Sequence, residues 1–150
     1  MATWSGGQRL VAARLVDVSG LVDLPISDTV PSSYSQWGNT ISFTNPGVDV
    51  AVCAWLVGRA YNSAGTGKLT LMYRIDVSHD NGVNWSNGTE QWVTVEPSSV
   101  SGTDQKNLTA IHRAQGLPTG TVRVRAMIQS AGGTGIALRS GQLMATMTAV

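Results

Sequence analysis

Period-two alternation constrains this chain more than any other feature. In "KLTLMYRIDVS", Leu69, Leu71, Tyr73, Ile75 and Val77 take one parity, while Thr70, Arg74, Asp76 and Ser78 take the other. Successive side chains of a strand point to opposite faces, so this spacing buries one face and wets the other. "TVRVRAMIQ" repeats the pattern, with Val122, Val124, Ala126 and Ile128 set against Arg123, Arg125 and Gln129. "NTISFT", "EQWVTVE" and "KNLTAIHRAQ" read as further strands. "VDVAVCAWLVGRAY" is apolar on both parities and reads as a central strand covered on both faces. Turn sequences such as "NPG", "AGTG", "GLPTG" and "GGTG" separate these runs. Roughly eight short strands with no long helical pattern predict an all-β antiparallel sandwich or barrel. Its expected core includes Phe43, Val50, Val52, Leu69, Leu71, Ile75, Val122, Val124 and Ile128.

A chain of 150 residues makes one ordinary domain with a real core. Charged residues are 13% and the net charge is +1. Nothing in that balance draws the chain to nucleic acid or an anionic membrane. No apolar run approaches the ~20 residues of a membrane helix, so no membrane insertion is expected. The single cysteine, Cys53, allows no internal disulfide. "MATWSGGQRL" lacks the apolar stretch of a secretion signal, so synthesis in a cytoplasm is expected.

The two ends of the chain break the regular pattern. "QRLVAARL" is either a short helix or an extended arm, and Gly6, Gly7 and Trp4 beside it suit a tail that docks on something. Residues 1–20 are therefore expected to form an anchoring arm and residues 21–150 the sandwich. "LVDLPISDTVPSSYSQWGN", broken by Pro25 and Pro31, reads as an irregular strand followed by a loop. In the last segment, Gly141 predicts a bend or bulge. Leu143, Ala145, Met147 and Ala149 share one parity there; Met144, Thr146, Thr148 and Val150 share the other. Neither parity is charged, and no Lys or Pro guards an edge. This predicts burial on both sides, one in the core and one against another copy. The oligomer-interface candidates are Leu143, Met144, Thr146, Met147, Thr148 and Val150; the alternative is a strand covered by its own chain.

"SHDNGVNW" fits S-x-D-x-G-x-x-W and resembles the Asp box repeated in the blades of sialidases and related β-propellers. The chain is too short for such a propeller. The box is good turn chemistry: Asp80 and Asn81 accept backbone N–H groups, Gly82 permits positive φ, Ser78 supports the network and Trp85 folds back on the hairpin. Ser78, Asp80, Gly82 and Trp85 are thus a structural turn. A sialidase-like site also needs a basic cluster, and the arginines are scattered, although Arg74, Arg123 and Arg125 on outward parities are able to meet. No catalytic, cofactor-binding or metal-binding residue is assigned, and the chain is read as no enzyme. A carbohydrate-active enzyme is the alternative from another class. Asp76, His79 and Asp80 are weighed as a weak cation site against an ordinary solvated turn. Tyr34, Trp37, Trp85 and Trp92 are weighed as a sugar-stacking platform against packing, with Tyr34, Trp37 and Trp92 the ligand-contacting candidates.

"ATWSGGQRLVAARLVDV" resembles a W-x-x-G-x-x-L/V-x-A-A-x-L/M segment that begins many minor tail and fibre-like proteins of tailed bacteriophages, especially those of actinobacteria. Trp4, Gly7, Leu10, Ala12, Ala13 and Leu15 carry the match; Val16 stands where that family often has Asn. "YSQWGNTISFTNPGVDVAV" and "YRIDVSHDNGVNW" resemble phage virion domains with a jelly-roll fold, with Asn81 in place of a usual Gly. The resemblance implies a trimeric jelly roll like the C1q and tumour-necrosis-factor domains, anchored to the virion by residues 1–20. It implies as partners other copies of itself, other phage virion proteins and a host cell-surface glycan. The expected role is a non-enzymatic minor tail or fibre-tip protein contributing to host attachment. The alternative is a capsid decoration (cementing) protein on the phage head.

Overall fold

Each alternating segment forms a strand. The computed structural model describes residues 18–45, 47–63, 67–97 and 105–150. Its strands are β1 (Val18–Leu24), β2 (Ser35–Thr44), β3 (Val50–Asn62), β4 (Leu69–Ser78), β5 (Ser86–Asn87), β6 (Gln91–Val95), β7 (Lys106–Leu117), β8 (Thr121–Ala131) and β9 (Ile136–Ala149). No helix occurs among the described residues. One antiparallel sheet, here the front sheet, is ordered β1-β9-β3-β7. The back sheet is ordered β2-β8-β4-β5, with β6 also pairing β4. The chain changes sheet after β1, β2, β3, β6, β7 and β8, which makes the architecture a jelly-roll sandwich.

The arm residues Trp4, Gly7, Leu10, Ala12, Ala13 and Leu15 lie outside the described residues. Positions 18–20, expected to close the arm, instead open β1, where Val18 sits opposite Met147. Every expected core residue is buried between the sheets, from Val50 and Leu71 at full burial to Phe43 at 7% exposure. Each such side chain contributes about 1.5–3 kcal/mol.

Four elements differ from the sequence reading, each for a local reason. "SQWG" is strand, not loop: β2 starts at Ser35, so Trp37 shares the inward parity of Ile41 and Phe43, and the two-residue register shift between Trp37 and Ile41 keeps it on that face. The indole then packs where the front sheet carries glycine. A Cβ on Gly58 would stand 2.6 Å from Trp37 Cη2. One on Gly141 would stand 2.4 Å from the Val57 carbonyl and 2.9 Å from the same ring. Gly141 also occupies the expected bulge, where pairing passes from Val57–Gln142 to Arg59–Arg139. β3 is fully covered on one face only: Val50, Val52, Ala54, Leu56 and Ala60 are buried, whereas on the other face Ala51 is buried, Cys53 and Trp55 are half-buried and Val57 is exposed. Asp76 and Ser78, expected in water, are buried.

The last difference concerns β9. It lies between β1 and β3 with both edges paired, so it needs no Lys or Pro to protect it. Leu143 and Met147 face the core at 0% and 1% exposure, which removes them from any interface. Of the other interface candidates, Met144 and Thr146 are half-buried, and Thr148 and Val150 are exposed.

Leu71 lies on the inner face of β4 with no exposed surface. Leu71→Ala is expected to cost about 2–5 kcal/mol in chemical denaturation, as a deleted core side chain leaves a cavity. A loss under about 1 kcal/mol would contradict this placement of the core.

Candidate functional site

The Asp box closes the hairpin between β4 and β5, and its atoms bond as turn chemistry requires. The Ser78 hydroxyl donates to Asp80 Oδ1 at 2.7 Å and accepts from the Gly82 amide at 2.9 Å. Asp80 Oδ1 also accepts the Asn84 amide at 2.8 Å, and Oδ2 accepts Asn84 Nδ2 at 2.7 Å. The Ser78 hydroxyl and the two Asn84 donors hold the Asp80 carboxyl well below the usual carboxylate range. Asn81 adopts φ 61° and Gly82 φ 88°. Trp85 folds back and donates from Nε1 to the Gly82 carbonyl at 2.9 Å.

The strand register next to the box brings distant residues together. Asp76 pairs with Arg125 across β4 and β8. Its carboxylate accepts Arg74 Nε at 2.8 Å and Arg125 Nη2 at 3.2 Å, with no exposure of its own. Two guanidiniums satisfying one carboxylate explain how an outward-parity Asp is buried. The Arg125 guanidinium covers the Trp85 ring at 3.8 Å, and that of Arg74 covers the Tyr34 ring at 4.1 Å. His112, on β7, has a pKa lowered by burial, with the Asp76 charge acting against the shift. Asp76, His79 and Asp80 do not converge as a cation site: two arginines occupy Asp76, and the turn occupies Asp80.

The ligand-contacting candidates separate. Trp37 is 2% exposed, and its Nε1 donates to the Pro25 carbonyl at 2.8 Å, so it takes the packing role and offers no face to a ligand. Tyr34 and Trp92 meet at a residue that the sequence reading missed, Glu90. The Tyr34 hydroxyl donates to Glu90 Oε2, and Trp92 Nε1 donates to Oε1 at 2.6 Å. Trp92 is 67% exposed. This fixes a large open ring beside Tyr34, a geometry suited to stacking on a sugar. Asp76, Asp80 and Glu90 are each engaged by donors from this chain, which is the arrangement of a brace more than of an acid/base pair.

The opposite face of the molecule differs in kind. On the outer side of the front sheet, Leu21 pairs with Met144, Met144 with Trp55, and Trp55 with Ile111. Opposed residues of neighbouring strands stand about 4.5–5.5 Å apart, so these four form an unbroken apolar bar across the whole sheet. Leu21 is 56% exposed and Ile111 66%, while Met144 and Trp55 are half-buried. Of these, only Met144 was a sequence candidate. The signal for Trp55 was the apolar second parity of β3. Leu21 and Ile111 carried none, because their alignment depends on cross-strand register.

No protein-family profile matches the chain, and no curated protein matches it. Solved structures that overlap it include the tumour-necrosis-factor protein Eiger from S. frugiperda, with 7% identity over 89% of this chain and 94% of that chain, at a TM-score of 0.43. A structure of infectious bursal disease virus, Gx strain, overlaps 87% of this chain and 33% of its own, with 11% identity and a TM-score of 0.44. The CBM22-1 xylan-binding domain from Paenibacillus barcinonensis Xyn10C overlaps 89% of this chain and 85% of its own, with 12% identity and a TM-score of 0.42. The jelly-roll assignment rests on this chain's own strand order, since each of these scores lies below 0.5.

At φ 88°, Gly82 is in the left-handed region that β-branched residues avoid. Gly82→Val is expected to lose about 1 kcal/mol or more and to lower the thermal midpoint. An unchanged midpoint would contradict the turn geometry. Burial and the bond to Glu90 push the Tyr34 phenol up to about 12. A raised phenol favours the neutral form in the fold, so its contribution is fully present below the free value of about 10 and is lost as pH rises through about 12. Spectrophotometric titration should therefore show a phenolate step near 12 that Tyr34→Phe abolishes. An identical titration of that variant would refute the assignment.

Proposed function

We propose that this chain is a non-enzymatic building block of a virus particle, a homo-oligomer assembled through the outer face of its front sheet. The observation that carries this reading is the apolar bar of Leu21, Met144, Trp55 and Ile111. A contiguous apolar stripe on one face of a lightly charged domain marks an interaction surface. A second copy is the occupant proposed, because the bar presents no charge and matches its own chemistry under rotation. Met144, Thr146 and Thr148 of β9 lie in or beside the contact. Three subunits is the number that the sequence resemblance supports.

The match carried by Trp4, Gly7, Leu10, Ala12, Ala13 and Leu15 supports a tailed phage as the source and residues 1–20 as the arm that docks on other virion proteins. The chain would then be made in the host cytoplasm and end in the virion. In this reading the back sheet faces outward, and Tyr34 and Trp92 contact a host cell-surface glycan. That is the role of a minor tail or fibre-tip protein in attachment. Low copy number per particle would support the tail position, and high copy number would move the protein to the head as a decoration.

Light scattering of the purified protein at micromolar concentration should report a trimer. Trp55→Glu should yield a monomer of unchanged circular dichroism, because it sets a charge in the middle of the bar. A monomeric wild type, or a variant that still assembles, would overturn the reading.

A further inference from the structure

One rung beyond the apolar bar, the outer face of the front sheet opens into a groove of about 850 Å³. Asp23, Arg59, Asn107, Thr109, Arg139 and Gln142 are among the residues that line it. Arg59 and Arg139 are direct cross-strand partners on β3 and β9, at the foot of the Gly141 bulge. Like charges directly opposite in a sheet repel each other. Elsewhere on this molecule paired arginines share a carboxylate, as Arg74 and Arg125 share Asp76. Among the described residues, Arg59 and Arg139 form no ion pair with any acid. The contact of Arg139 is the ring of Tyr61 at 4.5 Å, which holds its guanidinium in place without neutralising it. The carboxylate in the groove, Asp23, accepts Gln142 Nε2 at 3.2 Å.

We propose that this groove binds a phosphorylated sugar or polyol, with its phosphate between Arg59 and Arg139. Guanidinium forks match phosphate oxygens in pairs, and a dianion between the two removes their repulsion. The remaining lining is wrong for a continuous polyanion, since Asp23 would repel a second phosphate. It is right for hydroxyl groups: Asp23 accepts, and Asn107, Gln142 and Thr109 both donate and accept. The volume lies in the range of small-molecule sites, about 300–1,000 Å³, and accommodates a sugar phosphate with room for neighbouring units. The groove shares the outer face of the front sheet with the bar and begins one rung beyond it; neither arginine belongs to the bar.

Titration calorimetry of the whole protein tests it with glucose 1-phosphate, glycerol 3-phosphate, inorganic phosphate, glucose and polyphosphate. Both organic phosphates should bind more tightly than inorganic phosphate, more weakly as salt rises, and glucose alone should give no heat. Replacing both arginines, Arg59→Gln with Arg139→Gln, should weaken glucose 1-phosphate by about tenfold or more, as expected for lost charge-assisted bonds. The mass and circular dichroism of that variant should match wild type, which separates loss of the site from loss of assembly or fold. Asp23→Asn should narrow the gap between glucose 1-phosphate and inorganic phosphate. No binding by any phosphate, or equal binding by the double variant, overturns the site. Equal affinity for inorganic and sugar phosphate, or a preference for polyphosphate, overturns the assigned ligand class.

Discussion

The pairing of β9 with both β1 and β3 is the constraint on which the rest of the structure depends. It ties the first described strand to the last and leaves the front sheet with its edges at β1 and β7. A strand held on both sides offers no backbone groups to a stranger, so the uncharged C-terminal segment does not act as an adhesive edge. What remains available is a face. Leu143, Ala145 and Met147 fill the inner side, and the outer parity contributes Met144 to a bar completed by three other strands. The apolar bar is thus a product of sheet order, built from residues far apart in the chain.

The two outer faces treat arginine in opposite ways. On the back sheet, Asp76 is enclosed by Arg74 and Arg125, and each guanidinium is capped by an aromatic ring. Removing one member of a buried charge pair typically costs about 3–5 kcal/mol, so this cluster locks β4 to β8 and holds the Asp box hairpin against them. On the front sheet, Arg59 and Arg139 stand opposite each other with a ring beneath one of them and no acid between. The first arrangement pairs its charges within one chain. The second is electrostatically open, which is what a site awaiting an anion requires.

The fold was legible in the sequence to the extent that alternation reports burial. β4 and β8 announced their inward residues one by one, and "SHDNGVNW" specified its turn down to the positive φ at Gly82. Trp37 was misjudged because "SQWG" was read as loop; once β2 begins at Ser35, Trp37 falls on the same parity as the inward Ile41 and Phe43. Glu90 escaped notice, and Asp76 was weighed only for a cation, because their partners lie on other strands or loops: Arg125 by register, Tyr34 from the segment before β2. The apolar bar was half visible, in the two-sided apolar pattern of β3, but was read as a central strand covered on both faces. Composition along a strand says which residues seek cover; only the order of strands says what is left to cover them.

Val18 stands across from Met147, so the start of β1 and the end of β9 lie at the same pole. The loop that crosses from β8 to β9, around Gly132 and Gly133, lies at the other. A reporter fused behind Val150 would therefore stand beside the start of β1. A peptide grafted into the β8–β9 loop would project from the far pole, clear of both, and this makes the loop the natural place to display cargo.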